Sequence, residues 1–251
     1  MSDALRAELT KLRSVRSTTW ALLAILGLTI ALGVVSSSTS HTEGGRGEDI
    51  VMVSLVGVYF AQIAAVAFGV LAVCSEYATG TIRATFAANP RRLQVVAAKV
   101  AIVGGLVAGV SIVATVGAFY AGQAILRGNG FVDRNGYPAA SLADGQTLRT
   151  VALAAGYLVV LAVLSLAAAA ILRDTAAAIS VLLGVLFVPW IVGGLLPERL
   201  ANAFEEATPM AGIAAQEQGA PIGPWAGIGV TSAWAAAALV VALWLVRRRD
   251  A

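Results

Sequence analysis

At 251 residues, with 59% hydrophobic and 12% charged residues, a formal net charge of +3 and a mean hydropathy of +0.84, the chain does not have the composition of a soluble domain. Its single cysteine, Cys74, excludes an intrachain disulfide framework and reads as a small apolar packing residue. The pI of about 9.3 does not point to nucleic acid, because the basic residues are spread over separate seams and not along one face.

From the N-terminus, residues 1–16 form a short amphipathic pattern. Leu5, Leu9 and Leu12 recur at helical spacing while Arg6, Glu8 and Arg13 turn elsewhere, which suits a helix lying on a membrane surface. A generic basic anchor held by anionic lipid has the same pattern.

Six windows without Asp, Glu, Lys, Arg or His follow: Thr18–Ser37, Ile50–Cys74, Val100–Leu126, Thr150–Leu172, Thr175–Leu196 and Pro221–Val246. An unsorted chain of this composition would place about seventeen charges there, each costing ~2.5–3.5 kcal/mol at the centre of a spanning helix. At about 1.5 Å per residue each window covers the roughly 30 Å hydrocarbon core. The reading is an all-α membrane protein with six transmembrane helices, at 18–37, 50–74, 96–126, 150–172, 175–196 and 221–246, in one domain. The first window is too long, and follows too helix-like a segment, for a cleaved signal peptide.

The seams alternate sides. Twelve of the seventeen Lys and Arg residues lie in the seams that share a side with both termini, and five in the others. By the preference of basic residues for the cytoplasm, both termini are cytoplasmic. Of the outer seams, the first carries His41, a solvated loop residue with no second His or Cys nearby to make a metal site. The second, at 127–149, is a turn-rich connector. In the third, 197–216, Leu200 and Phe204 lie one turn apart and precede the apolar run Met210–Ala215, which predicts one or two short interfacial helices on the outer leaflet. Gly105 and Gly109, four apart, predict close helix approach, by tight packing within one bundle or, alternatively, at a dimer interface.

The one long inner seam is 75–92. Residues Thr81–Ala88 can form about two turns with Ile82 and Phe86 on one side, stopped by Pro90. With Glu76, Arg83 and Arg91 around it, this helix is either a knob for a groove in another protein or a helix lying flat on lipid. Ala4–Arg13 resembles the elbow helix of permease subunits in the type-2 exporter superfamily of ABC transporters. The run Glu76-Tyr77-Ala78-Thr79-Gly80-Thr81-Ile82-Arg83, with Pro90-Arg91-Arg92 after it, is similar to their coupling-helix loop. In layout the resemblance covers the whole chain.

The resemblance implies a type V fold with an N-terminal elbow helix (Leu5, Arg6, Leu9, Lys11, Leu12 and Arg13), a cytoplasmic coupling helix between the second and third spans, and short extracellular helices before the sixth. It implies coupling to an ATPase through Glu76, Tyr77, Thr79, Gly80, Thr81, Ile82, Arg83, Phe86 and Arg91. The implied partners are cytoplasmic ABC ATPase subunits, which hold ATP and Mg, a second permease chain (identical or related) and membrane lipid. The implied setting is the bacterial cell (inner) membrane. The implied task is export of a hydrophobic or amphiphilic substrate such as a drug, antibiotic, antimicrobial peptide or lipid.

The residues bear on the rivals independently. There is no Gly-Lys pair, hence no phosphate-binding loop, so this chain does not hydrolyse ATP and binds no cofactor of its own. The windows hold no ionisable group, which argues against an ion-coupled secondary transporter and against an intramembrane enzyme. A non-transporting scaffold or immunity protein stays open. Candidate groups along a substrate path are Ser54, Tyr59, Gln62, Thr115, Gln123, Ser165 and Trp190, with hydrogen bonding between helices as the alternative use of each.

Overall fold

The computed structural model describes residues 9–10, 16–41, 49–81 and 92–248, and every regular element among them is helical. The elements are α1 (Arg16–Thr39), α2 (Ile50–Leu55), α3 (Val58–Ala78), α4 (Arg92–Gly128), α5 (Gly145–Leu172), α6 (Thr175–Gly193), α7 (Glu198–Ala207), α8 (Ala211–Ala214) and α9 (Pro224–Arg248). With α2 and α3 taken together, six segments are long and apolar enough to cross a membrane, as the charge-free windows predict. An even number of crossings brings Arg16 and Arg248 to one end of the bundle, the terminal end, with the connections 79–91 and 173–174. The opposite loop end carries 40–49, 129–144 and 194–223.

Helix α5 is the centre, packed by α3, α4, α6 and α9. Tyr157, Leu158, Leu161 and Leu166 are fully buried along it. Its alanines let neighbours come close: a Cβ added at Gly69 of α3 would stand 2.4 Å from the Ala162 carbonyl oxygen, so the two backbones touch. Among the described residues of this chain the close approach expected at Gly105 and Gly109 is not made, since a Cβ added at either would meet nothing within 4 Å. Helix α6 buries the stripe Ala178, Leu182 and Leu186, with Gly193 at its end. Its other face leaves Val181, Val188 and Ile191 exposed, at no penalty in hydrocarbon.

Three features depart from six plain rods. The second span is broken: α2 is capped by Asp49, whose carboxylate accepts from the Val51 and Met52 amides at 3.0 and 3.2 Å, and it ends at the Val56-Gly57 turn. A Cβ at Gly57 would lie 2.2 Å from the Thr29 carbonyl oxygen, so the break sits where α1 crosses against bare backbone. The third span runs 37 residues without interruption, about 55 Å at 1.5 Å per residue, well beyond the hydrocarbon core.

The outer segment before α9 is the third departure. Helix α7 forms over Glu198–Ala207, with Leu200 and Phe204 half exposed. Helix α8 does not lie on the leaflet: Ala211, Gly212 and Ile213 are buried against α9 and α5. Thr231 donates to the Pro209 carbonyl at 2.7 Å and Trp234 to the Ala207 carbonyl at 2.8 Å. Gly227 removes the side chain that would otherwise stand 2.3 Å from the Ala211 oxygen. Small residues and satisfied carbonyls thus draw an apolar run into the bundle that the sequence places on its surface. The 129–144 connector is likewise built. Phe131 and Tyr137 meet edge to face at 4.8 Å over buried Leu126, and Asn129 donates to the Ser37 and Ser40 carbonyls that end α1.

Candidate functional site

At the loop end, the break in the second span leaves room beside α6 and the 208–217 segment for a pocket of about 450 Å³. Tyr59, Phe60, Phe187 and Trp190 supply aromatic wall, Leu186 and Met210 aliphatic wall, and Glu217 the only charge among the described lining residues. The local causes are visible. The Val56-Gly57 turn separates α2 from α3 just ahead of Tyr59, and Pro189, which has no N–H to donate, sits beside Trp190 near the end of α6. The Tyr59 hydroxyl donates to Glu217 Oε1 at 2.5 Å, across 158 positions of sequence. Trp190 is 58% exposed and Phe60 49%, so the pocket opens outward and is not sealed in the core.

The expected path residues therefore divide. Tyr59 and Trp190 line the pocket. The others are buried and bonded within the bundle. Gln62 accepts from the Tyr157 hydroxyl and donates to the Tyr59 carbonyl at 2.9 Å. Gln123 of α4 donates to the Ile50 carbonyl at 2.9 Å and to Ser54 Oγ at 3.2 Å, tying the short α2 to α4. Thr115 and Ser165 bond back to carbonyls of their own helices. Buried amides and hydroxyls need partners, and these have them without a ligand. Gln62 still bears on the pocket, because it fixes the backbone from which Tyr59 projects.

At the terminal end, the helical run of α3 ends at Ala78, and Gly80 takes a positive φ of 69° as the chain leaves the helix. The Thr79 hydroxyl donates to the Ser75 carbonyl at 2.9 Å and contacts Thr81 Oγ1 at 2.9 Å. Glu76 does not stand on an outward knob. Its carboxylate is buried and meets the ammonium of Lys99 on α4 at 2.7 Å, while that ammonium also reaches the Ala72 carbonyl at 3.4 Å. The windows predict spans free of ionisable groups; the helices extend past them and take this pair inside, because each charge supplies the other's partner. Tyr77 packs its ring under the Arg173 guanidinium, 5.1 Å from the centroid. Arg173 itself adopts φ 58°, closing α5, and Asp174 caps α6 by accepting from the Ala177 amide at 2.7 Å. Cys74 is buried nearby as a packing residue.

Leu9 lies in a helical stretch. The remaining elbow residues Leu5, Arg6, Lys11, Leu12 and Arg13, and the knob residues Ile82, Arg83, Phe86 and Arg91, lie outside the described residues. Three functional residues escape the sequence reading. Lys99 is counted there only as an inner-seam charge, Arg173 likewise, and Glu217 is one more acid in a polar loop. Each acquires its role from a partner distant in sequence.

The sequence matches the family described as ABC-2 family transporter protein over residues 14–222, from ahead of α1 to just before α9. The chain belongs to that family: it is a multi-pass permease of an ABC transporter, a membrane transport component that works with a separate ABC ATPase subunit. A comparison with curated proteins finds no match.

Proposed function

We propose that this permease exports an apolar or amphiphilic molecule, acting as a pair of six-span chains, identical or related, above two cytoplasmic ATPase subunits that hold ATP and Mg. The observation that carries the reading is the pocket of about 450 Å³ at the loop end, in the size range of small-molecule sites and walled mainly by aromatic and aliphatic side chains. The twelve basic residues of the terminal-end seams favour that end as cytoplasmic, in the cell membrane, which puts the pocket toward the exterior. In this arrangement Ile82 and Phe86 dock into the ATPase. The Glu76–Lys99 pair and the Tyr77–Arg173 stack join the two flanks of the docking loop to α3, α4 and the α5–α6 turn.

The test is reconstitution of the permease with its ATPase in inside-out vesicles and a panel of amphiphilic fluorophores. ATP-dependent accumulation, lost with a hydrolysis-deficient ATPase and reduced by Trp190→Ala, is the expected result; no nucleotide-dependent movement of any probe overturns export. Capture of the ATPase is measured separately. Ile82→Asp with Phe86→Asp releases it while helix content persists, and capture at the wild-type level refutes the docking role.

A further inference from the structure

The geometry points to a ligand class for the loop-end pocket: a lipophilic cation, seated with its positive charge between Glu217 and the aromatic wall. This rests on the reading of the pocket as part of the transport path and adds the sign of the cargo's charge. Three observations converge. Among the described residues Glu217 is the only charged group in the lining, with no Lys, Arg or His beside it there. The Tyr59 hydroxyl donates to one carboxylate oxygen at 2.5 Å, which holds the group at the pocket wall without neutralising its charge. Four of the ten lining residues are aromatic, and ring faces attract a cation in addition to burying its apolar body. The adjoining groove, of about 210 Å³, shares Glu217 and Ala214 with the pocket, adds the carboxylate of Glu206, and is also lined without a basic residue.

The alternatives fare worse on the same features. An anion meets the Glu217 carboxylate in the pocket and that of Glu206 in the adjoining groove. A neutral apolar ligand strips water from Glu217 and offers nothing in return, a cost that a positive charge removes. A strongly hydrated small cation gains from the carboxylate but leaves the aromatic and aliphatic wall unused. A cation with a large apolar body satisfies both.

The experiment compares two ions of nearly the same shape and opposite charge, tetraphenylphosphonium and tetraphenylborate. They are titrated into the full-length permease with its ATPase in lipid nanodiscs, with partition into empty nanodiscs subtracted. The expected result is saturable binding of the phosphonium and none of the borate. Glu217→Gln should weaken the phosphonium on the order of tenfold, through loss of the coulombic attraction between the carboxylate and the phosphonium charge. Tyr59→Phe, which keeps the ring and frees the carboxylate, should weaken it less, and Glu217→Lys should shift preference toward the borate. Equal saturable affinity of the wild type for both ions, phosphonium binding no greater than in empty nanodiscs, or an unchanged affinity in Glu217→Gln overturns the proposal. The wild-type comparison decides even if a variant misfolds. Cation binding without ATP-driven movement would sink export and leave this site standing. Export of neutral probes by a pocket indifferent to charge would do the reverse.

Discussion

Glu76 and Glu217 both lie where α3 meets another part of the chain, but the two ends of the bundle treat them in opposite ways. At the terminal end Glu76 is buried, 2.7 Å from the Lys99 ammonium, and its charge is used up in joining α3 to α4. At the loop end Glu217 is exposed and held by a neutral hydroxyl, which orients the carboxylate without cancelling it. A charge neutralised inside a bundle fixes helices, whereas a charge left standing beside an aromatic wall can recognise a ligand. The same residue type thus marks a joint at one end and a binding surface at the other.

The comparison breaks most forcefully at the joint. Lys99→Met removes the ammonium that stands 2.7 Å from the buried Glu76 carboxylate and should cost about 3–5 kcal/mol of stability. Glu76→Leu combined with Lys99→Met should recover most of that loss, because the pair is then absent as a unit. Unfolding titrations of the purified chain read both values, and a Lys99→Met protein as stable as wild type would show that the pair is not a joint. Glu217→Gln, in contrast, should leave the unfolding curve where it is.

Next in size is the break that forms the pocket. Gly57→Val places its Cβ 2.2 Å from the Thr29 carbonyl oxygen, a backbone atom that cannot step aside alone, so α1 and the α2–α3 turn must separate. Overpacking of this kind costs about 1–3 kcal/mol, and here it should also distort the wall carrying Tyr59. Reduced stability together with reduced ligand binding is expected; lost stability with binding intact would separate the break from the pocket.

How much of this was legible beforehand follows from where each feature gets its cause. The spans were readable because exclusion of charge from hydrocarbon acts on each residue separately, so Thr18–Ser37 or Thr150–Leu172 announces itself without knowledge of any neighbour. The turn at Val56-Gly57 was hidden inside an uncharged window, since its cause is the passage of α1 at Thr29. Helix α8 looked interfacial because Met210–Ala215 is short and apolar, while its burial depends on Thr231 and Gly227, which belong to α9. The site divides in the same way. Tyr59 and Trp190 stood out as polar-tipped aromatics in spans, but nothing local distinguished Glu217 from Glu205 or Glu206.

Between the two ends runs the Gln62–Tyr157 contact, which sharpens the comparison at smaller scale. Tyr157→Phe strands the buried Gln62 carbonyl and should cost about 1–3 kcal/mol, whereas Gln62→Leu with Tyr157→Phe should be milder than the single change. Because Gln62 also holds the Tyr59 carbonyl at 2.9 Å, the single variant should loosen the pocket as well. A stability loss identical in single and double variants would mean that the hydrogen bond is not its source.

The smallest effect belongs to Asp144, the cap of α5 at the loop end. Its carboxylate accepts from the Thr147 amide and hydroxyl, each at 3.0 Å, and these bonds, the amide first, hold its pKa below the ordinary aspartate value. A pKa lower in the folded than in the unfolded chain means that the unfolded chain binds the proton more readily. The stabilisation is therefore fully present above the ordinary value, about 3.9, and is lost as pH falls through the folded value. Asp144→Asn keeps a capping oxygen and removes the titration. Wild type should lose stability more steeply than Asp144→Asn below about pH 4 and match its slope at neutral pH. Parallel curves throughout would mean that the cap acts through geometry alone, leaving Glu217 as the loop-end carboxylate whose charge matters.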